Sequence, residues 1–265
     1  MYIDSHCHLN FGAFSKDWQE VTDDCVKAGV EKMIVVGADL ETSQKAIEIC
    51  QKHPALFAAV GVHPHHASGE FDVEKLKQLA QNKKVVAIGE TGVDYHVYQK
   101  SKYPSTALRI NPEMKNRQKI IFGQQIQLAK TLKLPLIIHN REANENALDV
   151  LEHFCKDDGI YPAGVFHCIS GSKKLLQKIL ALDFYVGVDA NITYSQEVQT
   201  LVADSPLEKI LLETDAPYLT PSRDGSRNTP QSVKMVAQEI ARVKHLPENL
   251  VIKQTSTNAQ RLFKL

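Results

Sequence analysis

The fold class this sequence predicts is α/β, a single (β/α)8 TIM barrel, and three observations carry it. Short β-branched apolar runs alternate with longer amphipathic stretches; the runs number eight; and no Pro/Gly/Ser-rich linker or shift in composition divides the 265 residues. Such alternation marks parallel strands joined by crossover helices, and eight units in about 250 residues is a barrel's inventory. An open doubly wound sheet has fewer strands and often a Gly-rich first turn, whereas the first turn here is HCHLNFG with no G-x-G-x-x-G after it. No nucleotide cofactor is expected, and residues 1–265 are expected to form one domain.

Taken in order, the chain starts directly in a predicted strand, Tyr2 to Asp4, with no basic leader or apolar segment ahead of it. The next predicted strands are Lys32 to Val36, Leu56 to Val60, Val85 to Ile88, Leu134 to Ile138, Ala163 to Phe166, Phe184 to Val188 and Lys209 to Leu212. Between them the 3.6-residue pattern predicts helices over Asp17 to Ala28, Glu41 to Lys52, Asp72 to Gln81, Pro112 to Leu132, Glu142 to Lys156, Ser172 to Leu182 and Gln196 to Ala203. Two more, Pro230 to Lys244 and Pro247 to Phe263, follow the last strand. Pro112 and Pro230 suit a first helical turn, and Asp72 and Ser172 suit N-caps.

Composition narrows the function classes. Hydrophobic residues at 43% and charged residues at 23% are those of a globular protein. The five cysteines are odd in number and never spaced C-x-x-C, so no disulfide framework or thiolate zinc knuckle is expected, and a reducing cytoplasm is the expected location. No apolar run nears the roughly 20 residues of a membrane-spanning helix. With 31 basic and 31 acidic residues, a polyanion has to be gripped locally.

Seven of the eleven histidines fall where a barrel enzyme builds its site, at the carboxyl ends of strands. Strand one ends in Asp4-Ser5-His6-Cys7-His8, strand three in His63-Pro64-His65-His66, strand four in Gly89-Glu90, strand five in His139-Asn140-Arg141, strand six in His167 and strand eight in Glu213-Thr214-Asp215. A lone histidine there is ordinarily a hydrogen-bonded structural residue, and a lone carboxylate a helix cap. Their coincidence at one barrel end argues for chemistry. His6 and His8, two apart, share a side of a strand and can reach one cation.

These groups suit two divalent metal ions, Mg, Mn or Zn. His6, His8 and Asp215 are assigned to one and His139 and His167 to a second, with Glu90 bridging. Cations lower the pKa of bound water from about 15.7 towards 7, and a pair clamps attacking and leaving oxygens. Asp215 is expected to orient that water and take its proton. Cys7 and Cys168 are read as packing residues.

The motifs IDSHCHL, GVHPH, GETGVDYH, LPLIIHNREA, FHCISGS and LLETDAPYLTP, followed by RNTP, resemble the TatD family of metal-dependent deoxyribonucleases, within the amidohydrolase-like superfamily, over essentially the whole chain. The resemblance implies metal dependence and a DNA substrate, often degraded 3′ to 5′. It also places the family's ligands on His6, His8, Glu90, His139, His167 and Asp215. Thr91 and Val93 stand where Ile and Leu are more usual, Glu142 replaces a common Asp, and the segment after Asp94 is long.

That segment carries charge. From His96 to Lys119 lie Lys100, Lys102, Arg109, Lys115, Arg117 and Lys119 against Glu113 alone, so the stretch is +5 and the remainder −5. Tyr95, Tyr98 and Tyr103 are interleaved, and rings that stack on bases beside cations that track phosphates hold single strands. Tyr95, Lys100, Lys102 and Arg109 are therefore expected contacts to single-stranded or frayed DNA; a solvated loop and helix face is the plainer alternative. His63, His65 and Arg141 are expected to bind the scissile phosphate or protonate the leaving oxygen. A small-molecule amidohydrolase or phosphoesterase is the competing reading, since related barrels share the ligands. A monomer is expected.

Overall fold

In the computed structural model, which describes residues 1–69, 71–97, 111–143, 145–222 and 224–265, eight parallel strands pair in chain order. They are β1 (Tyr2–Cys7), β2 (Val30–Val36), β3 (Leu56–Val60), β4 (Val85–Asp94), β5 (Leu136–Arg141), β6 (Gly164–Phe166), β7 (Tyr185–Val188) and β8 (Ile210–Leu212). The two edges meet at their carboxyl ends. Cys7 bridges Ala216, the His8 N–H donates to the Ala216 carbonyl at 2.7 Å, and the Asp215 N–H donates to the His6 carbonyl at 2.9 Å. The result is a nearly closed (β/α)8 barrel.

Its helices are α1 (Trp18–Lys27), α2 (Leu40–Cys50), α3 (Val73–Ala80), α4 (Pro112–Leu132), α5 (Asn146–Cys155), α6 (Lys173–Ala181), α7 (Gln196–Asp204), α8 (Val233–Lys244) and α9 (Glu248–Phe263). Asp72 and Ser172 cap α3 and α6 through their side chains, and Pro112 occupies the first turn of α4 behind an Asn111 cap. Pro230 opens a short 3₁₀ turn, Pro230–Ser232, and α8 begins after it. Among the described residues no helix is long and apolar enough to cross a membrane.

Alternate strand residues divide between two cores. Ile3, Ile34, Val36, Ala59, Ala87, Ile137, Val165 and Leu211 fill the barrel interior. Their neighbours Met33, Val35, Ala58, Val60, Ile138, Phe166 and Leu212 pack outward against the helices. Ala259, Leu262 and Phe263 of α9 join the interior cluster, while Asn258 Nδ2 donates to the carbonyls of Leu207 and Ile210 beneath β8. The last helix thus seals the amino-terminal end of the barrel, where burying a side chain of Leu or Phe size contributes roughly 1.5–3 kcal/mol. With that end apolar and closed, polar groups gather at the other.

Three strands, β1, β4 and β5, run further than their apolar pattern, β5 to Arg141. β1 continues to Cys7 and β4 to Asp94, because Thr91, Gly92, Val93 and Asp94 keep pairing with Ile138, His139, Asn140 and Arg141 of β5. Both carry register shifts, between Asp4 and Cys7 and between Ile88 and Thr91. A bulge re-aims the side chains beyond it. Ile3 faces the interior and Cys7 the outer core, so the alternation reverses between them and His6 and His8 turn inward.

Candidate metal centre

Two residues up from the interior core, the same inward faces carry His139 above Ile137, His167 above Val165 and Glu213 above Leu211. Glu90, 4% exposed, reaches into the middle of them from the β4 bulge. Its two oxygens face different groups. Oε1 lies 2.8 Å from His139 Nδ1 and 2.9 Å from His167 Nε2, and those two nitrogens are 3.1 Å apart. Oε2 lies 3.4 Å from His6 Nε2 and 3.8 Å from His8 Nε2. Asp215 Oδ1 completes this second set, 3.2 Å from His8 Nε2 and 3.7 Å from His6 Nε2. All six sequence-predicted groups thus converge on one side of the barrel mouth.

Asp215 has a left-handed backbone (φ 54°), uncommon for a residue with a side chain. It is pinned there by its N–H to His6 and by its carbonyl, which accepts from the Tyr218 N–H at 2.8 Å. Behind it, the Asp4 carboxylate accepts from the His6 N–H, the Thr214 N–H and, at 2.7 Å, the Thr214 hydroxyl, stapling the end of β1 to the segment after β8.

The surroundings fix which nitrogen of each ring faces inward. His8 Nδ1 lies 2.9 Å from the Val36 carbonyl, which accepts only, so a proton sits there and Nε2 is the nitrogen that faces Asp215 and Glu90. His139 Nε2 lies 3.0 Å from Asp94 Oδ2, leaving Nδ1 to face Glu90. Ring N–H groups held by a carbonyl or carboxylate are the usual outer partners of histidines that ligate metals. Nitrogens aimed at one another at 3.1–3.2 Å across a carboxylate fit a divalent cation in the chemistry of the donor set.

Electrostatics agree with that assignment. Burial, with the nearby His167, holds the His6 imidazole below its ordinary pKa. Burial raises the Glu90 carboxyl, but His63, His167 and His139 overcome it and hold the acid well below the usual carboxylate range. Burial likewise opposes ionisation of Asp215, and His8 and His6 win there too. The centre is therefore a pair of carboxylates among crowded imidazoles.

His63 and His65 sit beside it. His63 Nε2 is 3.4 Å from Glu90 Oε1, and His65 Nε2 is 2.8 Å from Asp94 Oδ2. Arg141 ends β5 at the exposed rim, and its carbonyl accepts from the Tyr95 N–H at 2.9 Å. Tyr95 is half-buried, with the Lys115 ammonium 4.5 Å from its ring centre. Lys100, Lys102 and Arg109, with Tyr98 and Tyr103, lie outside the described residues. Cys7 and Cys168 carry thiols pushed well above their ordinary pKa by burial, as suits packing residues.

Sequence reading passed over several groups. Asp94 holds both His139 and His65. Glu213 is fully buried under His167, with Oε1 3.6 Å from His167 Nδ1 and accepting from the Cys168 N–H. Gln118 and Gln125, inside α4, bond the backbone of Asp94 and Val62. The signal for the two acids was their place in GETGVDYH and LLETD; the glutamines left none.

A barrel with histidine and carboxylate side chains gathered at its carboxyl end defines a metal-dependent hydrolase. The chain belongs to the TatD family: the family model described as TatD related DNase matches residues 3–264. It is 36% identical over 271 residues, the full length of both chains, to YabD of Bacillus subtilis, named an uncharacterized metal-dependent hydrolase. It is 33% identical over 275 residues, 99% of each chain, to a Yersinia pseudotuberculosis protein named 3′-5′ ssDNA/RNA exonuclease TatD. Among solved structures, YjjV of Escherichia coli, a TatD homolog, superposes with a TM-score of 0.87 at 28% identity, covering 100% of this chain and 98% of that one.

Proposed function

We propose that this protein is a nuclease that hydrolyses phosphodiester bonds of DNA, removing nucleotides from 3′ ends with two divalent cations, Mg, Mn or Zn. The observation that carries the reading is the division of Glu90, one oxygen facing His6, His8 and Asp215 and the other facing His139 and His167. Relatives of equal length named as single-strand exonucleases support the substrate.

The six side chains would hold the ions, which supply a lowered water pKa and charge neutralisation at the phosphoryl oxygens. Asp215, at the open side of the cluster, orients the attacking water and takes its proton. His63 Nδ1 accepts the His65 N–H at 3.0 Å, so its proton is on Nε2. Burial presses its pKa down to about 3, so the ring stays neutral. His63 therefore offers its Nε2–H, 3.4 Å from Glu90 Oε1, to that carboxylate or to a phosphoryl oxygen beside it. Arg141, at the rim, adds a cation for the substrate backbone.

The test is incubation of the protein with 3′-labelled single-stranded DNA and Mg2+ or Mn2+, beside Asp215→Asn. Stepwise release of nucleotides by the wild type, lost in the variant, is expected. Intact DNA together with hydrolysis of small amides or phosphoesters would assign the amidohydrolase reading instead.

A further inference from the structure

Next to the centre lies a cavity of about 410 Å³ lined by Tyr95, Lys115, Asn116, Lys119 and Asn146, among others. It opens on the same end of the barrel, between the residue that follows β4, the first turns of α4 and the start of α5. Tyr95 directly follows Asp94, whose carboxylate holds His139, so the cavity and the cluster share one wall.

The lining is cationic by construction. Positions 112, 115, 116 and 119 of α4 recur at three- and four-residue spacing and so share a face, while Gln118, Ile121, Phe122 and Gln125 point into the protein. Lys115 is anchored over the Tyr95 ring, a contact that fixes a cation without neutralising it. Among the described residues neither Lys115 nor Lys119 forms an ion pair, and the one lining carboxylate, Glu142, is engaged by His96 Nδ1. Two lysines one helical turn apart, with the amides of Asn116 and Asn146 nearby, suit a phosphodiester and the polar edge of a base.

We infer that this cavity is a nucleotide subsite: it takes a phosphodiester-linked unit of a single-stranded polynucleotide, next along the strand from the bond held at the metal centre. The inference rests on the nuclease reading and adds to it the route the strand follows, across the start of α4. It gives Lys115 and Lys119 the phosphate and leaves the hydrolysed bond to the metal centre.

The experiment compares single-stranded DNA of two and of eight nucleotides in wild type and in the Lys115→Ala/Lys119→Ala double variant, with salt varied and folding checked by circular dichroism. The expected result is about a tenfold fall in kcat/KM for the octanucleotide and a smaller one for the dinucleotide. The salt dependence should become shallower by about 1.4 in log–log slope, the share of two phosphate contacts on a single strand. The Lys115→Arg/Lys119→Arg variant should recover both. A folded double variant that keeps the wild-type length preference and salt slope overturns the subsite. If the wild type cuts neither length, the nuclease reading alone has failed, and fluorescence anisotropy of a labelled octanucleotide without divalent cations decides the subsite. Binding weakened about tenfold by the double variant upholds it; binding absent, or unaltered in the variant, overturns it.

Discussion

Asp94 Oδ2 lies 3.0 Å from His139 Nε2, on the edge of the ring opposite the Nδ1 that faces Glu90. The same oxygen is 2.8 Å from His65 Nε2. One carboxylate therefore sets the tautomer and tilt of a proposed metal ligand and holds the His63-Pro64-His65 loop against it. Asp94→Asn removes the charge and lets the amide present its NH2 to the ring. The expected outcome is a 10–100-fold loss of affinity for the cation facing His139, the usual cost of losing such an outer partner, with the barrel intact. Titration against a chelating dye, beside far-UV circular dichroism, measures both; wild-type affinity would show that Asp94 orients nothing.

A second positioning device is buried in α4. Gln125 Oε1 accepts the Val62 N–H at 2.8 Å and its Nε2 donates to the Val62 carbonyl at 3.0 Å, so one amide completes the backbone just before His63. Gln118 does the same for Asp94 and also donates to the Pro64 carbonyl. Gln125→Leu keeps a similar volume but orphans a buried N–H and C=O, at about 1–3 kcal/mol for each unsatisfied group. We expect it to lower the denaturant midpoint by an amount matching a loss of about 2–6 kcal/mol, with an unaltered m-value.

These two devices show where sequence reading stops. The barrel was legible because every strand contains an apolar run: β3, Leu56–Val60, matches its pattern residue for residue. The extension of β4 to Asp94 was not, since Gly89-Glu90-Thr91-Gly92 has no strand periodicity; Thr91 to Asp94 are held extended by pairing with β5, and the Glu90 N–H is taken by the Gly37 carbonyl. The six convergent groups were legible because each follows the apolar run of its strand. Asp94 and Gln125 do their work through partners 45 and 63 residues away, and no spacing rule reports such a contact. The closing of the barrel floor by α9 escaped notice likewise: its apolar stripe reads as an ordinary helix face.

Cation binding should release protons at neutral pH. Burial pushes the imidazoles of His8, His139 and His167 down, yet all three end above their ordinary value. Asp215 and Glu90 raise His8, Asp94 and Glu90 raise His139, and Glu90 and Glu213 raise His167. Without a cation these rings hold protons above the pH at which a free imidazole, near 6.5, has lost them. A cation needs the neutral ring, so binding expels protons, and affinity should keep rising from pH 6.5 to 8 instead of levelling off. Calorimetry in two buffers of different ionisation enthalpy counts the protons; no release at pH 7 with flat affinity above pH 6.5 would contradict the assignment.

Gly187, on β7, is the position where a single methyl should disturb the centre from behind. A Cβ there would stand 2.1 Å from Glu213 Oε2 and 2.5 Å from its carboxyl carbon. Glu213 is fully buried, so it cannot swing into solvent, and its Oε1 is committed to the Cys168 N–H, next to His167. Gly187→Ala must therefore displace either the carboxylate or the strand, at the roughly 1–3 kcal/mol of an overpacked core. Because the displaced group lies 3.6 Å from His167 Nδ1, the loss should reach the cation facing His167 as well as the melting temperature. Gly187→Ala/Glu213→Gln retains the clash, whereas Gly187→Ala/Glu213→Ala relieves it. Recovery of the melting temperature only in the latter pair is the expected outcome, and equal melting temperatures for both pairs would place the disturbance elsewhere.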